Sequence, residues 1–504
     1  MWILKLKTDG WFNKYRIILL AIFLSSFLLK LYFATSYPLI AGMDAGYYVV
    51  EFREVLEYGY PQTSDPPIAF LIGAFFTVLA GDIFLGFKIA ICLFSAAICF
   101  PIYKIAKYIT NDRRIGLFAA FLAAFSVSNM FIMGDLFKNT IGLFFGAWFI
   151  YFLIKAIKET NFRNAGLAII AFILMLGSHF SSSAYLLFSI TPFLILLPIY
   201  DYFKEKKFTR ESKVCLSILG GMALAGILFL LLKPALLGDY SLGPVGLEYM
   251  DDGVPGMPSR PNGISLQIFT TYSIFSLLAF LGIYSAYKLN PKWVLLFVPW
   301  LIISFLLTQP MLVDNSWVFR FEMNSYIVIS ILAGLGVYYF KNEKGAFYGV
   351  MFLMAISTIY MFVEAGTERT PLITLEEYQG MLAFAQTHPD AEILGPMGGL
   401  AYWVQAAGLD LADTKSPNHL SSPNVYFMFS VQTQPKPGTP PDQFGGTRQT
   451  KSISAAELAQ IPKESIEAKF GNYVLVEASS APLPPSKDKH PLPQQQQLPP
   501  RPPK

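Results

Sequence analysis

The chain has 504 residues, of which 54% are hydrophobic, 16% aromatic and only 14% charged. A soluble protein carries about 25% charged residues, so the composition excludes an ordinary globular enzyme. The net charge of +4 comes from Lys and Arg in short loops and gives nucleic-acid binding no support.

Repeated apolar runs of about 20 residues make this a polytopic helical membrane protein, because a helix satisfies its own backbone in lipid. Cys92, Cys99 and Cys215 all lie inside apolar runs and read as small hydrophobic residues, not as disulfides or metal ligands. Met1–Arg16 reads as a basic cytoplasmic start, so no cleavable signal is expected, and the first apolar run is long enough to span. Eleven spans are expected, at 16–37, 82–104, 115–133, 136–158, 164–180, 183–201, 214–232, 265–288, 292–308, 317–340 and 346–364.

The interval 38–67 is the most polar in the first hundred residues. From Asp44 to about Tyr58 it reads as a helix with two faces. Asp44, Tyr47, Tyr48 and Glu51 share one side. Ala45, Val49, Phe52 and Leu56 form a stripe suited to lying on a membrane surface. Residues 66–81, opened by two prolines, are apolar but short, and the positive-inside rule decides their placement. With 66–81 as an interfacial or re-entrant helix, most Lys and Arg residues fall in cytoplasmic loops; if 66–81 spans, the bias reverses. The N-terminus is then cytoplasmic and everything after Glu364 is extracytoplasmic.

Residues 1–364 are thus expected to form the membrane domain and 365–480 a small soluble domain. In the latter, TLEEYQGMLAFAQ and GLAYWVQAAG read as helices, AEILGPM as a strand and turn, and NYVLVEA as a closing strand. The Pro/Gln-rich tail 481–504 is expected to be disordered. No internal repeat is apparent, which counts against an inverted-repeat transporter.

The expected outer face collects the residues able to do chemistry. Asp44 opens the first-loop helix, Asp135 sits at a turn with Lys138 one helical turn later, and His179 lies in GSHFSSSAY. Glu248, Asp251 and Asp252 occupy the longest loop; Asp314 precedes Arg320, and Lys88 lies two turns into its span. Each has a plainer reading. Asp135 would cap the helix that follows it, with Lys138 as its i+3 partner. His179 would be an interfacial histidine, Lys88 and Arg320 would snorkel to headgroups, and the 248–252 carboxylates would be solvated. Asp44 is harder to dismiss, since a carboxylate among apolar residues at the membrane edge is costly without a role. Together the set suits a lipid-linked donor. Lys88, Arg320 and Lys138 would hold its phosphate. A carboxylate would take the proton from an acceptor attacking the sugar, with Asp135 assisting directly or by ligating a divalent metal.

This order of features resembles the GT-C glycosyltransferases that use polyprenyl-phosphate sugars. GMDAGYYVVEFREVLEYGYPQTSDPPIAFLIGAFFTVLAGDIFLGFKIA is similar to the first-loop region of the aminoarabinose-transferase and protein O-mannosyltransferase type. MGDLFKNTIGLFFGAWFIYFLIKAIKE and GSHFSSSAYLLFSITPFLILL are similar to the second-loop acidic motif and the later Ser-rich turn of the oligosaccharyltransferase catalytic subunit. The resemblance covers about residues 16–200 and, more loosely, 309–340. It implies a GT-C-like fold of about 11 transmembrane helices with an interfacial first outer loop and a small C-terminal α/β outer domain. It further implies Asp44 and Asp135 as catalytic carboxylates and as ligands of a divalent metal (Mg or Mn). Arg320 would be a phosphate-side cation with Lys88 and Lys138, and Tyr47, Tyr48 and His179 are the expected substrate contacts.

Two departures matter. LGPMGGLAYWVQ stands where an oligosaccharyltransferase has its Trp-Trp-Asp-Tyr-Gly motif, which argues against transfer to asparagine sequons. The first-loop helix has Asp-Ala instead of Asp-Glu, and SDPP has no Lys before its prolines. The expectation is a cell-membrane glycosyltransferase with a polyprenyl-phosphate sugar donor, a protein or glycan acceptor and membrane lipid as partners. The alternatives are a lipid-linked sugar transporter or flippase, or a non-catalytic scaffold whose extracellular domain binds partners.

Overall fold

The computed structural model describes residues 14–232, 267–309, 312–313, 315–367, 369–396, 398–412, 424–432, 451–454 and 458–478. Glu248, Asp251, Asp252, Asp314 and the tail 481–504 lie outside the described residues. The helices up to residue 367 are α1 (Lys14–Thr35), α2 (Ala45–Tyr58), α3 (Ile68–Ala80), α4 (Ile83–Ala97), α5 (Cys99–Thr110), α6 (Arg113–Ala124), α7 (Val127–Asp135) and α8 (Phe137–Glu159). There follow α9 (Phe162–Leu176), α10 (Phe180–Glu205), α11 (Arg210–Leu232), α12 (Gln267–Leu289), α13 (Lys292–Leu307), α14 (Asn315–Asn324), α15 (Tyr326–Tyr338) and α16 (Lys344–Thr367). Beyond them come α17 (Leu375–Thr387), β1 (Glu392–Leu394), α18 (Gly398–Ala406), β2 (Asp410–Leu411), β3 (Val425–Gln432), β4 (Lys451–Ser454), β5 (Ile466–Phe470) and β6 (Tyr473–Glu477).

The chain divides into two compact units. The first comprises Met1–Thr35, Ser64–Ile72 and Lys88–Glu368; the second comprises Ser36–Thr63, Gly73–Phe87 and Arg369–Lys504.

The first unit is a helical bundle. Among the described residues seven helices are long and apolar enough to cross a membrane, or eight if α6 and α7, bent by 44°, form one span. The expected number of eleven is not reached on length. Two of those segments fall on the shorter apolar helices α9 and α13. At 1.5 Å per residue the 15-residue α9 is about 22 Å long, short of a hydrocarbon core about 30 Å thick. The 13-residue α3 is shorter still, about 20 Å. α1, α11 and α16 expose apolar side chains such as Leu28, Leu231, Leu232, Phe352 and Tyr360. Apolar helices that bury so little of themselves in protein are covered by lipid; this is a multi-pass membrane protein.

Lipid is as apolar as leucine, so the bundle is held by close packing and hydrogen bonds. A Cβ at Gly282 of α12 would lie 2.0 Å from the Leu332 carbonyl oxygen of α15. A Cβ at Gly336 of α15 would lie 2.0 Å from the Leu278 carbonyl oxygen of α12. The two backbones touch through this reciprocal pair of glycines. Lys30, fully buried on α1, donates from Nζ to Ser95 Oγ on α4 at 2.6 Å, and Ser95 Oγ donates to Asn129 Oδ1 on α7 at 2.8 Å. Asn129 Nδ2 returns to the carbonyls of Ser95 and Ala123 at 3.0 and 2.9 Å, so one polar chain ties α1, α4 and the α6–α7 break together.

The second unit contains helices and a mixed six-stranded sheet of order β2-β1-β3-β6-β5, with β4 paired to β3 off that path. β1 and β4 pair in parallel with the first and second halves of β3, while β6 runs antiparallel to β3 and β5 to β6. α17 opens on a capping box formed by Thr374 and Glu377. The buried Glu377 also accepts the Asn472 N–H at 3.0 Å, fixing the β5–β6 turn to α17.

α2 belongs to this unit and begins one residue after Asp44, as expected, but the lipid-facing stripe is overturned. Ala45, Val49 and Phe52 are 1%, 0% and 0% exposed, and only Leu56 of that set faces outward. Protein covers them: Gly46 meets the Tyr402–Trp403 backbone of α18, where a Cβ would stand 2.7 Å from Trp403 N, and the Phe52 ring lies on Gly73. An apolar stripe reports that something covers it, not whether lipid or protein does.

Candidate functional site

The polar site of the first unit is assembled from four separate stretches. Ser64–Pro67 enters with two prolines of fixed φ, and the Ile68 N–H donates to the Gly177 carbonyl at 2.8 Å. That bond fastens the segment to the turn carrying His179. His179 is the N-cap of α10, and its Nδ1 accepts the Ser182 backbone N–H at 3.3 Å. An accepting Nδ1 keeps its lone pair, so the imidazole is neutral with its hydrogen on Nε2; Ser181 Oγ lies 3.2 Å from that nitrogen. Burial, then the charges of Lys138 and Arg320, hold the His179 pKa well below 6.5 against the opposing pull of Asp65. α8 lies against this turn: a Cβ at Gly142 would stand 3.2 Å from His179 Cβ.

Lys138, in the first turn of α8, forms an ion pair with Asp65, seventy-three positions earlier in the chain. It also lies over the Phe70 ring, 5.5 Å from the centroid. The expected local i+3 partner was Asp135, whose side chain lies outside the described residues. Arg320, on α14, is half-buried and stacks over Trp317 at 5.4 Å. It has no carboxylate partner among the described residues. α14 is held to α8 by Asn139 Nδ2 donating to Asn324 Oδ1 at 3.5 Å. Asp65, Lys138, Arg320 and the neutral His179 together carry one surplus positive charge. Glu322 is also buried on α14, but residues two apart on a helix do not share a face.

Of the expected residues, Lys138 and Arg320 are therefore each brought within electrostatic reach of His179. Lys88 is buried in the same unit on α4, one turn before Cys92. Asp44, Tyr47 and Tyr48 belong to the second unit. There Asp44 occupies the N-cap position of α2 without making a side-chain cap bond. Tyr47 packs edge-on against Tyr402 and its hydroxyl donates to Thr63 Oγ1 at 3.4 Å. Tyr48 is 1% exposed between Phe52 and Phe87. Arg53 anchors α2, donating to the Ala406 carbonyl at the end of α18 and to Tyr378 Oη.

Sequence reasoning missed Asp65, whose only signal was a lone carboxylate before Pro-Pro. It also missed Arg53, an outer-loop cation that pattern cannot pair. For the divalent ion expected on Asp44 and Asp135, no group of three or more His, Cys, Asp or Glu side chains among the described residues is placed to hold a metal.

The sequence model of the family described as dolichyl-phosphate-mannose-protein mannosyltransferase matches residues 64–232. No curated protein matches the chain. Among solved structures, ArnT from Cupriavidus metallidurans in the apo state is similar with TM-score 0.56 and 12% identity, over 94% of this chain and 99% of that one. ArnT bound to undecaprenyl phosphate gives TM-score 0.55 and 12% identity, over 94% and 98%. The Archaeoglobus fulgidus oligosaccharyltransferase, crystallised with zinc and sulfate, gives TM-score 0.52 and 13% identity, over 81% and 68%.

Proposed function

We propose that this chain, a multi-pass membrane protein with the GT-C glycosyltransferase fold, moves a sugar from a polyprenyl-phosphate donor to an acceptor on the extracytoplasmic face. The strongest support is Arg320, a half-buried guanidinium without a carboxylate partner among the described residues, whose charge acts on the same neutral His179 as that of Lys138. A planar guanidinium and an ammonium suit a phosphate better than any neutral ligand. The likeness to ArnT bound to undecaprenyl phosphate agrees with that ligand class.

In the reaction, an acceptor oxygen or nitrogen attacks the anomeric carbon and the bond from that carbon to the phosphate oxygen breaks. Lys138 and Arg320 stabilise the charge arriving on the departing polyprenyl phosphate. Lys88 adds a further positive charge. Asp44 takes the acceptor proton, and Asp135 assists. Tyr47 takes the substrate-contact role in preference to Tyr48, which packs as core. His179 fixes the Ser-rich turn and presents a neutral ring. The N-terminus is cytoplasmic and the soluble unit extracytoplasmic. The acceptor is a protein or a glycan.

Product analysis tests this. Purified protein given a labelled polyprenyl-phosphate sugar should release one polyprenyl phosphate per sugar transferred. Labelled lipid that crosses the bilayer with its sugar still attached, and no transfer product, would identify a flippase and refute the proposal.

A further inference from the structure

The ion pair between Asp65 and Lys138 places a carboxylate on one of the two cations just assigned to the donor phosphate. Both side chains are largely buried, at 13% and 11% exposure. Neither charge is well solvated there, so Lys138 needs an anion beside it in every state of the protein. Its place at the N-terminal turn of α8 is not explained by the helix, since a cation at that end opposes the helix dipole. Asp65 is held where it is from outside α8, by Pro66, Pro67 and the Ile68–Gly177 hydrogen bond.

We infer that Asp65 is a positioning residue whose carboxylate holds Lys138 in place and yields it to the donor phosphate, one anion replacing another on the same ammonium. This rests on the proposed donor. Arg320, with no carboxylate to surrender among the described residues, gives the phosphate its first contact, and Lys138 follows as Asp65 releases it. Once the sugar has left, Asp65 reclaims Lys138 and the polyprenyl phosphate product is expelled. Asp65 thus weakens binding of both lipids and speeds product release. No covalent change occurs at Asp65.

The test is affinity for undecaprenyl phosphate, with undecaprenol as the control lipid, measured on the purified full chain. The proteins compared are wild type, Asp65→Asn, Lys138→Gln and the double variant, each checked for an unchanged elution profile. Removing a charged competitor should tighten undecaprenyl phosphate binding of Asp65→Asn by about tenfold, and the gain should vanish in the Lys138→Gln background. In turnover, Asp65→Asn should show a lower KM for donor together with a lower kcat, because product leaves more slowly. A merely structural ion pair would give the opposite sign, with binding weakened.

Equal or weaker binding by Asp65→Asn, or tightening that survives Lys138→Gln, overturns the inference and leaves the donor assignment intact. A wild-type protein that does not distinguish the phosphate from the alcohol overturns both.

Discussion

Substituting Lys138 by methionine keeps the length of the side chain and removes its charge, leaving the Asp65 carboxylate where water barely reaches. Breaking a buried ion pair from one side costs about 3–5 kcal/mol, whereas a solvent-exposed pair is worth at most about 1 kcal/mol. With side-chain exposures of 11% and 13%, the pair lies near the buried limit, and Lys138→Met should lose about 2–4 kcal/mol. Most of that is the carboxylate left buried without the Lys138 charge and not the lost attraction. Adding Asp65→Asn to Lys138→Met should therefore restore stability to within about 1 kcal/mol of wild type. Thermal unfolding of the four purified proteins in one detergent gives the cycle. A Lys138→Met protein as stable as wild type, or a double variant as unstable as the single, would refute the assignment of the pair as buried and coupled.

Gly282→Ala should lower the unfolding midpoint, because its Cβ would stand 2.0 Å from the Leu332 carbonyl oxygen and must drive α12 and α15 apart. The cost is about 1–3 kcal/mol, and Gly220→Ala, which meets nothing within 4 Å, is the control expected to leave the midpoint unchanged. His179 binds a proton more weakly folded than unfolded, so its contribution is fully present above about pH 6.5 and is lost as the pH falls below it. Midpoints at pH 7 and pH 5 should differ more for wild type than for His179→Asn; equal differences would contradict the neutral cap. Asp44→Asn should reduce kcat for transfer by about 10²–10⁴-fold at unchanged folding, read in a membrane transfer assay, and full activity would move the base elsewhere.

The helices were legible where the apolar runs were long. The first-loop helix was legible from its period, down to its start beside Asp44. What covers that helix was not, because Ala45, Val49 and Phe52 look alike facing lipid or facing protein. The span expected over 164–180 runs past α9, which ends at Leu176, whereas α13 matches the expected 292–308 to within one residue. Lys138, His179 and Arg320 were visible as polar residues at the ends of apolar runs. Their grouping depends on contacts between residues as far apart as Asp65 and Lys138 or Asn139 and Asn324, which no local pattern encodes. Asp65 carried no signal beyond its charge, and Lys30 vanished inside an apolar run although it anchors a buried hydrogen-bonded chain across three helices.

The account stands on cations of the membrane unit holding a lipid-linked phosphate, and Arg320 tests that most directly. Sugar transfer by the purified protein would be measured against polyprenyl-phosphate donor concentration for wild type and Arg320→Ala. Loss of a charge-assisted contact of about 1.5–3 kcal/mol predicts a donor KM raised about 10–150-fold, with the acceptor KM unchanged. Transfer by Arg320→Ala with an unaltered donor KM would contradict the central claim.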